Sequence, residues 1–345
     1  MPNTTRYMML TSLGSGTIIT FLAEHWLLAW IGLEINSLAF LPLMAQQNHP
    51  RATEATTKYF LIQSTASALL LFATALNAWT TGQWNIYSIE NQIATYMIFL
   101  ALAMKLGLAP FHFWPVEVMQ GLNLKTALIL TTWQKLAPFA LLMQIYQTIN
   151  PFLLTTVALT SALAAALAGL NQTQLRKILA YSSTAHLAWV VVIIQYMPDI
   201  ALFTLMIYII STMAAFLTLM ESSTMKINTL TLMWSKNATM VVTLALILLS
   251  LAGLPPLTGF SPKLLIIEEL TKQEMIISTA LLAMSSLISL FFYVRLCYFS
   301  TITLFPSPLK REISWRRTLK QNKIPTATAI SAATILLPLM PLFLP

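Results

Sequence analysis

Apolar residues in this chain do not alternate with polar ones; they collect in stretches that repeatedly reach about 20 residues, the length that spans a bilayer as α-helix. Transmembrane barrel strands would show a period of two instead. Reading each apolar run between its polar or Pro/Gly breaks predicts about eleven helices: 3–22, 25–44, 54–78, 93–118, 124–146, 151–170, 174–196, 199–220, 238–270, 275–300 and 324–344. The fold class expected is therefore an all-α polytopic membrane protein, taken as one domain over 1–345. Eleven helices of this length leave only short loops, with no room for a separate catalytic domain.

Two of these runs carry their own interruption. Gly107-Leu108-Ala109-Pro110 falls in the fourth and Gly253-Leu254-Pro255-Pro256 in the ninth. Proline removes a backbone donor and clashes with the preceding turn, so both helices are expected to break near Pro110 and near Pro255/Pro256 at membrane depth. They stand five helices apart, an odd offset that makes them run in opposite directions, which is the mark of an inverted repeat. The repeats would cover about 25–170 and 174–300, with 324–344 a terminal helix.

Charge fits this topology. Of 345 residues, 19 are basic and 11 acidic, where a soluble domain of the same length carries about 86 charges. With the N-terminus on side A, fifteen basic residues fall on side A, from Arg6, Arg51 and Lys58 to the cluster Lys310–Lys323, and only Lys272 falls on side B. That asymmetry is the positive-inside signal and requires an odd number of spans. It also accounts for Lys310–Lys323 as an inside loop near anionic lipid heads, so nucleic acid is not an expected partner. The N-terminus lacks a cleavable signal pattern, and the first helix is expected to stay.

Several chemistries are excluded. One cysteine, Cys297, supplies no disulfide framework, thiolate zinc site or iron–sulfur cluster. Nine glycines without GxGxxG or GxxxxGK[ST] remove the usual phosphate-cradling loops. Four histidines spread over four segments make no metal site, and no Ser/His/Asp group or carboxylate pair shares one depth. No catalytic residue, bound cofactor or metal is expected on this chain.

What remains is four ionisable residues inside apolar spans: Glu34, Lys105, Lys135 and Lys263. Each costs roughly 2.5–3.5 kcal/mol at mid-helix, and such residues normally mark ion or proton pathways. Snorkelling to an interface is the bland account, but Lys135 lies about eleven residues, roughly 16 Å, from either end of its predicted helix. Glu34 is shorter and equally deep. Lys105 just precedes the first break and Lys263 follows the second, as in the discontinuous helices that form midplane ion sites. The five-helix shift also pairs Glu34 with His186, which makes His186 a candidate proton carrier against its bland role as a packing histidine. His112, two residues past Pro110, either caps carbonyls freed by the break or joins the charged line. Tyr181-Ser182-Ser183-Thr184 offers a water chain, though membrane hydroxyls more often bond their own backbone. Trp and Tyr are read as interfacial belts, for example Trp79 and Trp84, and Glu24, Glu268, Glu269 and Glu274 as solvated ends on side B. Glu117 and Lys125 stand at a side A entrance.

These motifs resemble a known family. "MKLGLAPFHFW" (104–114), "LNQTQLRKILAYSSTAHLAW" (170–189) and "LAGLPPLTGFSPK" (251–263) are similar to the antiporter-like membrane-arm subunits of respiratory complex I, NADH:ubiquinone oxidoreductase. "WIGLEIN" around Glu34 and "HPRATEATTKYF" (49–60) narrow the likeness to the short vertebrate branch, which lacks three helices of its bacterial counterpart. The resemblance runs from about 25 to about 300. It implies the mitochondrial inner membrane, with the N-terminus in the matrix and the C-terminus in the intermembrane space. It also implies proton translocation coupled to electron transfer from NADH to ubiquinone elsewhere, with NADH, FMN, iron–sulfur clusters and ubiquinone on partner subunits. The implied partners are other membrane-arm subunits on both sides, including another antiporter-like one, supernumerary subunits, and phospholipid such as cardiolipin.

Carried over by position, Glu34 matches the family's buried glutamate, Lys105 the lysine of the first broken helix, Lys135 the bridging lysine of the next helix, and Lys263 that of the second break. The implied mechanism has Glu34 holding Lys105 protonated until a neighbouring subunit weakens the pair. Lys105 then passes a proton through water and Lys135 toward Lys263, for release on side B. Moving one charge against the potential takes about 2.3 kcal/mol per 100 mV, so the energy comes from outside the chain. The order Trp114-Pro115-Val116-Glu117-Val118 departs from the family's Trp-x-Pro-Glu-Val and puts the local bend in question. Two other functions use the same residues: a cation/proton antiporter of the same ancestry, and a structural linker of pump modules.

Overall fold

The structure is a computed structural model that describes residues 3–45, 49–231, 233, 238–301, 324–335 and 337. Its described elements are helices: α1 (Asn3–Leu22), α2 (Trp26–Met44), α3 (Pro50–Thr81), α4 (Gln92–Leu106), α5 (Phe113–Gly121), α6 (Leu124–Thr131), α7 (Trp133–Ile145) and α8 (Pro151–Gly169). There follow α9 (Leu175–Ile193), α10 (Pro198–Ser222), α11 (Ile227–Thr231), α12 (Ala238–Ala252), α13 (Phe260–Lys272), α14 (Ile276–Thr301) and α15 (Ile324–Ile335). Six stretches are long and apolar enough to cross a membrane: 26–44, 50–81, 124–145, 151–169, 198–222 and 276–301. Large apolar side chains point outward from them, among them Leu28, Phe60, Phe152 and Leu287, as lipid-facing positions do.

Both expected breaks are present. The run 93–118 is two helices, α4 and α5, and 238–270 is α12 and α13. Each first half ends on a glycine in the left-handed region, Gly107 at φ 74° and Gly253 at φ 81°, which an L side chain adopts only with strain. Pro115 lies in the first turn of α5, where its missing N–H would have had no helical partner, so the altered proline position is accommodated without a bend there. Two differences from the sequence reading stand out. The stretch 124–146 is interrupted at Thr132, where the Thr131 and Thr132 hydroxyls donate to the Leu128 carbonyl at 3.1 and 2.7 Å and Pro138 withholds an N–H from the next turn. Lys135 therefore sits in the first turn of a new helix rather than in the middle of one. The short helix α11 was not anticipated. The basic cluster Lys310–Lys323 and the end of the helix expected at 324–344 lie outside the described residues, apart from α15 and Leu337.

The chain forms two compact units, Met1–Ser161 and Ala162–Pro345, with the division inside α8. In the first, α1 packs on α2, α3 on α4 and α5, and α7 on α4. Gly16 and Gly32 set the α1–α2 approach, since a Cβ on either would meet the other's carbonyl oxygen at 2.9 Å. In the second, α10 packs on α9, α12 and α15, and α12 on α14. Each unit closes one helix pair with a matching clasp. Trp26 N–H donates to Trp84 O and Ile86 N–H to Glu24 O in the first, and Leu175 N–H to Met225 O and Ile227 N–H to Thr173 O in the second. The clasps join the ends of α2 and α3 and of α9 and α10, the helices that the five-helix shift sets opposite each other.

Candidate functional site

In the first unit the Gly107 and Leu108 N–H groups cap Ala103 O and Met104 O at the end of α4, and side chains add to Met104 O and take Leu106 O. Trp114 Nε1 donates to Met104 O at 2.9 Å, and Lys135 Nζ donates to Leu106 O. Lys135 reaches from α7, is 1% exposed, and holds its ammonium 5.5 Å from the Trp114 ring centroid. A Cβ on Gly107 would stand 2.6 Å from Pro115 Cγ, so the left-handed turn also needs glycine for space.

Lys105 and Lys135 line one buried cavity with Asn36, Tyr59, Gln63, Trp114 and Gln134. Its polar wall is a hydrogen-bonded chain. Gln134 Nε2 donates to Asn36 Oδ1 at 3.2 Å, and Tyr59 O–H donates to Gln134 Oε1 at 3.4 Å. Tyr59 packs edge-on against Phe40 and Trp114 at 5.4 and 5.8 Å, which fixes where its hydroxyl points. The sequence reading did not select Asn36, Tyr59 or Gln134. A polar residue at one helical position in α2, α3 and α7 was the available signal, and it shows only once those helices are packed together.

Glu34 is close enough for its charge to act on both Lys105 and Tyr59. It makes no ion pair within 4 Å among the described residues, and its buried Oε2 has no hydrogen-bond partner. The Glu34–Lys105 ion pair expected from the sequence is therefore not formed in this structure. His112 precedes α5 but caps none of its N–H groups; its buried Nδ1 has no hydrogen-bond partner, its ring lies tilted against Phe113 at 4.1 Å, and it does not line the lysine cavity.

The second unit repeats the arrangement with different elements. Lys263, on α13, turns back and donates to Ala252 O at 2.7 Å, the carbonyl just before Gly253. Its ammonium lies 6.0 Å from the ring centroid of Trp189 on α9. Lys263, His186, Trp189, Tyr208, Ser211 and Ser250 line a cavity large enough to hold a water. His186 packs against Tyr208 at 5.6 Å and feels the Lys263 charge. The structure therefore groups the candidates by unit: Glu34, Lys105 and Lys135 in the first, His186 and Lys263 in the second.

Other polar candidates resolve plainly. Ser182, Ser183 and Thr184 donate to carbonyls three residues back in their own helix at 2.7–2.8 Å, the bland alternative to a water chain. Glu117 is bound by Lys58 at 2.8 Å, which also pairs with Glu54 at 2.7 Å, so this part of side A is a three-residue ion cluster joining α3 and α5. Glu268 is exposed as expected, but Glu269 is buried on α13, with Lys272 at 3.6 Å. Its place on the inward face of the helix, invisible in a list of end positions, accounts for the difference. Trp79 is 88% exposed, as a belt residue is, whereas Trp114 and Trp189 are buried and belong to the lysine sites.

Comparison with known proteins bears on the whole chain. Residues 23–289 match the family model described as NADH:quinone oxidoreductase/Mrp antiporter, transmembrane region, and 290–344 match NADH dehydrogenase subunit 2 C-terminus. A protein of Salmo salar named NADH-ubiquinone oxidoreductase chain 2 is 56% identical over 334 residues, covering 97% of this chain and 96% of its own. One of Carassius auratus with the same name is 56% identical over 337 residues, covering 98% and 97%. Among solved structures, a chain of respiratory complex I from Thermus thermophilus with bound aureothin superposes with TM-score 0.83 at 25% identity, over 97% of this chain and 79% of that one. A chain of the Mrp complex from Dietzia sp. DQ12-45-1b shares the fold with TM-score 0.83 at 17% identity, over 97% and 75%.

Proposed function

This chain belongs to the NADH:quinone oxidoreductase/Mrp antiporter transmembrane family, and from that premise we propose that it is the chain 2 membrane subunit of respiratory complex I and translocates protons. The observation that carries the proton role is the pair of lysine sites, Lys135 buried and Lys263 half-buried, one at each helix break and each opening on a polar cavity. An ammonium at membrane depth with no carboxylate within 4 Å among the described residues is costly, and such groups normally mark ion or proton pathways. A site that takes up and gives away a proton does require it.

In this reading, the first unit loads through Glu34 and Lys105 and holds the proton at Lys135, with Tyr59, Gln134 and Asn36 organising the cavity between the lysines. The second unit holds one at Lys263 beside His186. Lys105 and the Glu34 Oε2 atom are both buried and neither group is held by an ion pair among the described residues, which supports a pair that forms and parts. Electron transfer from NADH to ubiquinone, with its flavin and iron–sulfur cofactors, belongs to partner subunits. The chain carries about eleven spans, lies in the mitochondrial inner membrane with its N-terminus in the matrix and C-terminus in the intermembrane space, and contacts neighbouring membrane-arm subunits and phospholipid.

The test is proton pumping in the assembled enzyme. Lys135→Met and Lys263→Met, measured in proteoliposomes as protons moved per electron from NADH, are expected to lower the ratio while the complex still assembles. An unchanged ratio in both would overturn the reading.

A further inference from the structure

We propose that Trp114 and Trp189 are positioning residues for the proton-carrying lysines, and that Lys135 and Lys263 are the equivalent stations of the two units, each holding its proton on a broken helix end and an indole face instead of on a carboxylate. The inference rests on the proton role assigned to these lysines above.

The geometry behind it is the same four-part cluster built twice. In each unit a half-helix ends on a left-handed glycine, Gly107 or Gly253. The carbonyl just before that glycine, Leu106 O or Ala252 O, accepts from a lysine Nζ. The same Nζ faces an indole at 5.5 or 6.0 Å. Yet the parts come from different places. In the first unit the indole is on α5, the second half of the broken helix, and the lysine on α7. In the second unit the lysine is on the second half of the broken helix and the indole on α9. Convergence on one arrangement from exchanged elements is not a by-product of repeat symmetry, because the lysine and tryptophan positions do not correspond along the chain.

The chemistry explains the choice of parts. A helix C-terminus carries partial negative charge on carbonyls that lack donors, and an indole face carries a negative quadrupole. Both attract an ammonium, and neither can take its proton. A carboxylate at the same place would be a proton acceptor and a deep charge trap. Carbonyl and indole hold the cation in one place while leaving its proton free to go to water in the adjoining cavity. In the first unit the ring is itself held, since Trp114 Nε1 donates to Met104 O across the break at 2.9 Å and fixes the face toward Lys135. Among the described residues Lys105 has neither partner, which sets it apart from the other two despite standing nearest a break.

The experiment compares Trp→Phe and Trp→Leu at both positions in the assembled complex in proteoliposomes, reading protons per electron beside the NADH:ubiquinone rate, with Lys135→Met and Lys263→Met as references. Phenylalanine keeps an aromatic face and leucine does not. The expected result is that W114L and W189L lose as much of the proton ratio as the corresponding lysine variants, while W114F and W189F retain most of it. A leucine variant that pumps at the wild-type ratio, or a phenylalanine variant that falls as far as leucine, overturns the proposal. Should W114L fail to assemble, W189L and W189F give the same reading independently, and Trp→Met, which preserves apolar bulk without a ring face, replaces leucine at either site and is judged by the same outcomes. Lysine variants that leave the ratio untouched would instead remove the underlying proton role, so the two failures are told apart.

Discussion

Lys263 Nζ donates to Ala252 O at 2.7 Å, from eleven residues further along the chain and from the opposite half of the same interrupted helix. One side chain thus spans the gap that Gly253 and the two following prolines open. The proton site and the break depend on each other: the break exposes the carbonyl that holds the ammonium, and the ammonium satisfies a carbonyl that would otherwise be buried without a donor.

Glycine substitutions at that break should separate strain from chemistry. A Cβ on Gly253 would lie 2.8–3.0 Å from the Lys263 side chain at a φ of 81°, and one on Gly259 would run into the Ser250 backbone carbonyl. Gly253→Ala is expected to displace Lys263 and lower protons per electron, with a cost of about 1–2 kcal/mol for the left-handed alanine. Gly259→Ala is expected to reduce the amount of assembled complex, because backbone cannot yield as a lysine stem can. Gly14→Ala, with nothing within 4 Å of the added carbon, serves as the neutral control. Native gel abundance and proton ratio, read together, check all three.

Tyr59→Phe removes one hydroxyl and keeps the ring that packs between Phe40 and Trp114. Gln134 Oε1 then loses its donor at 3.4 Å, and the wall of the Lys105–Lys135 cavity loses its order. Assembly should be unchanged, within the roughly 0.5–1.5 kcal/mol of one hydrogen bond, while proton translocation slows. Equal pumping by Tyr59→Phe and the unmodified enzyme at matched NADH oxidation would exclude this cavity wall from the route.

How far the sequence disclosed all this follows from what each feature depends on. The breaks at Gly107–Pro110 and Gly253–Pro256 are properties of the backbone, written into glycine and proline, and both appear where the residues place them. Glu34, Lys105, Lys135 and Lys263 stand out because charge in an apolar run is costly whatever the packing. The partners of those charges are tertiary. Nothing along the chain says that Lys135 meets Leu106 O, or that Trp114 and Trp189 face lysines and not the membrane interface like Trp79. The interruption at Thr132 escaped because threonine is only a weak helix breaker, and it takes two adjacent hydroxyls turned onto the Leu128 carbonyl, with Pro138 beyond, to produce it.

Lys58 joins α3 to α5 through Glu54 and Glu117, in a cluster that is substantially exposed. Exposed ion pairs contribute little and are screened by salt. Lys58→Ala is therefore expected to leave the melting temperature of the complex and its proton ratio unchanged at physiological ionic strength. A marked fall in pumping alone would show instead that this cluster feeds the Lys105 cavity from side A.

Glu34→Gln tests the remaining charge most directly. Among the described residues the carboxylate is the acidic group whose charge acts on both Lys105 and Tyr59, and its Oε2 is buried without a hydrogen-bond partner. An amide has nearly the same shape and can still hydrogen-bond, so packing of α2 is preserved while the charge that would draw a proton onto Lys105 is gone. The expected outcome is normal assembly and normal NADH oxidation with fewer protons moved per electron. Glu34→Asp retains the charge on a shorter stem and should recover part of the loss. A structural linker with inert charges predicts the opposite, full pumping in Glu34→Gln, and that single measurement decides between the two.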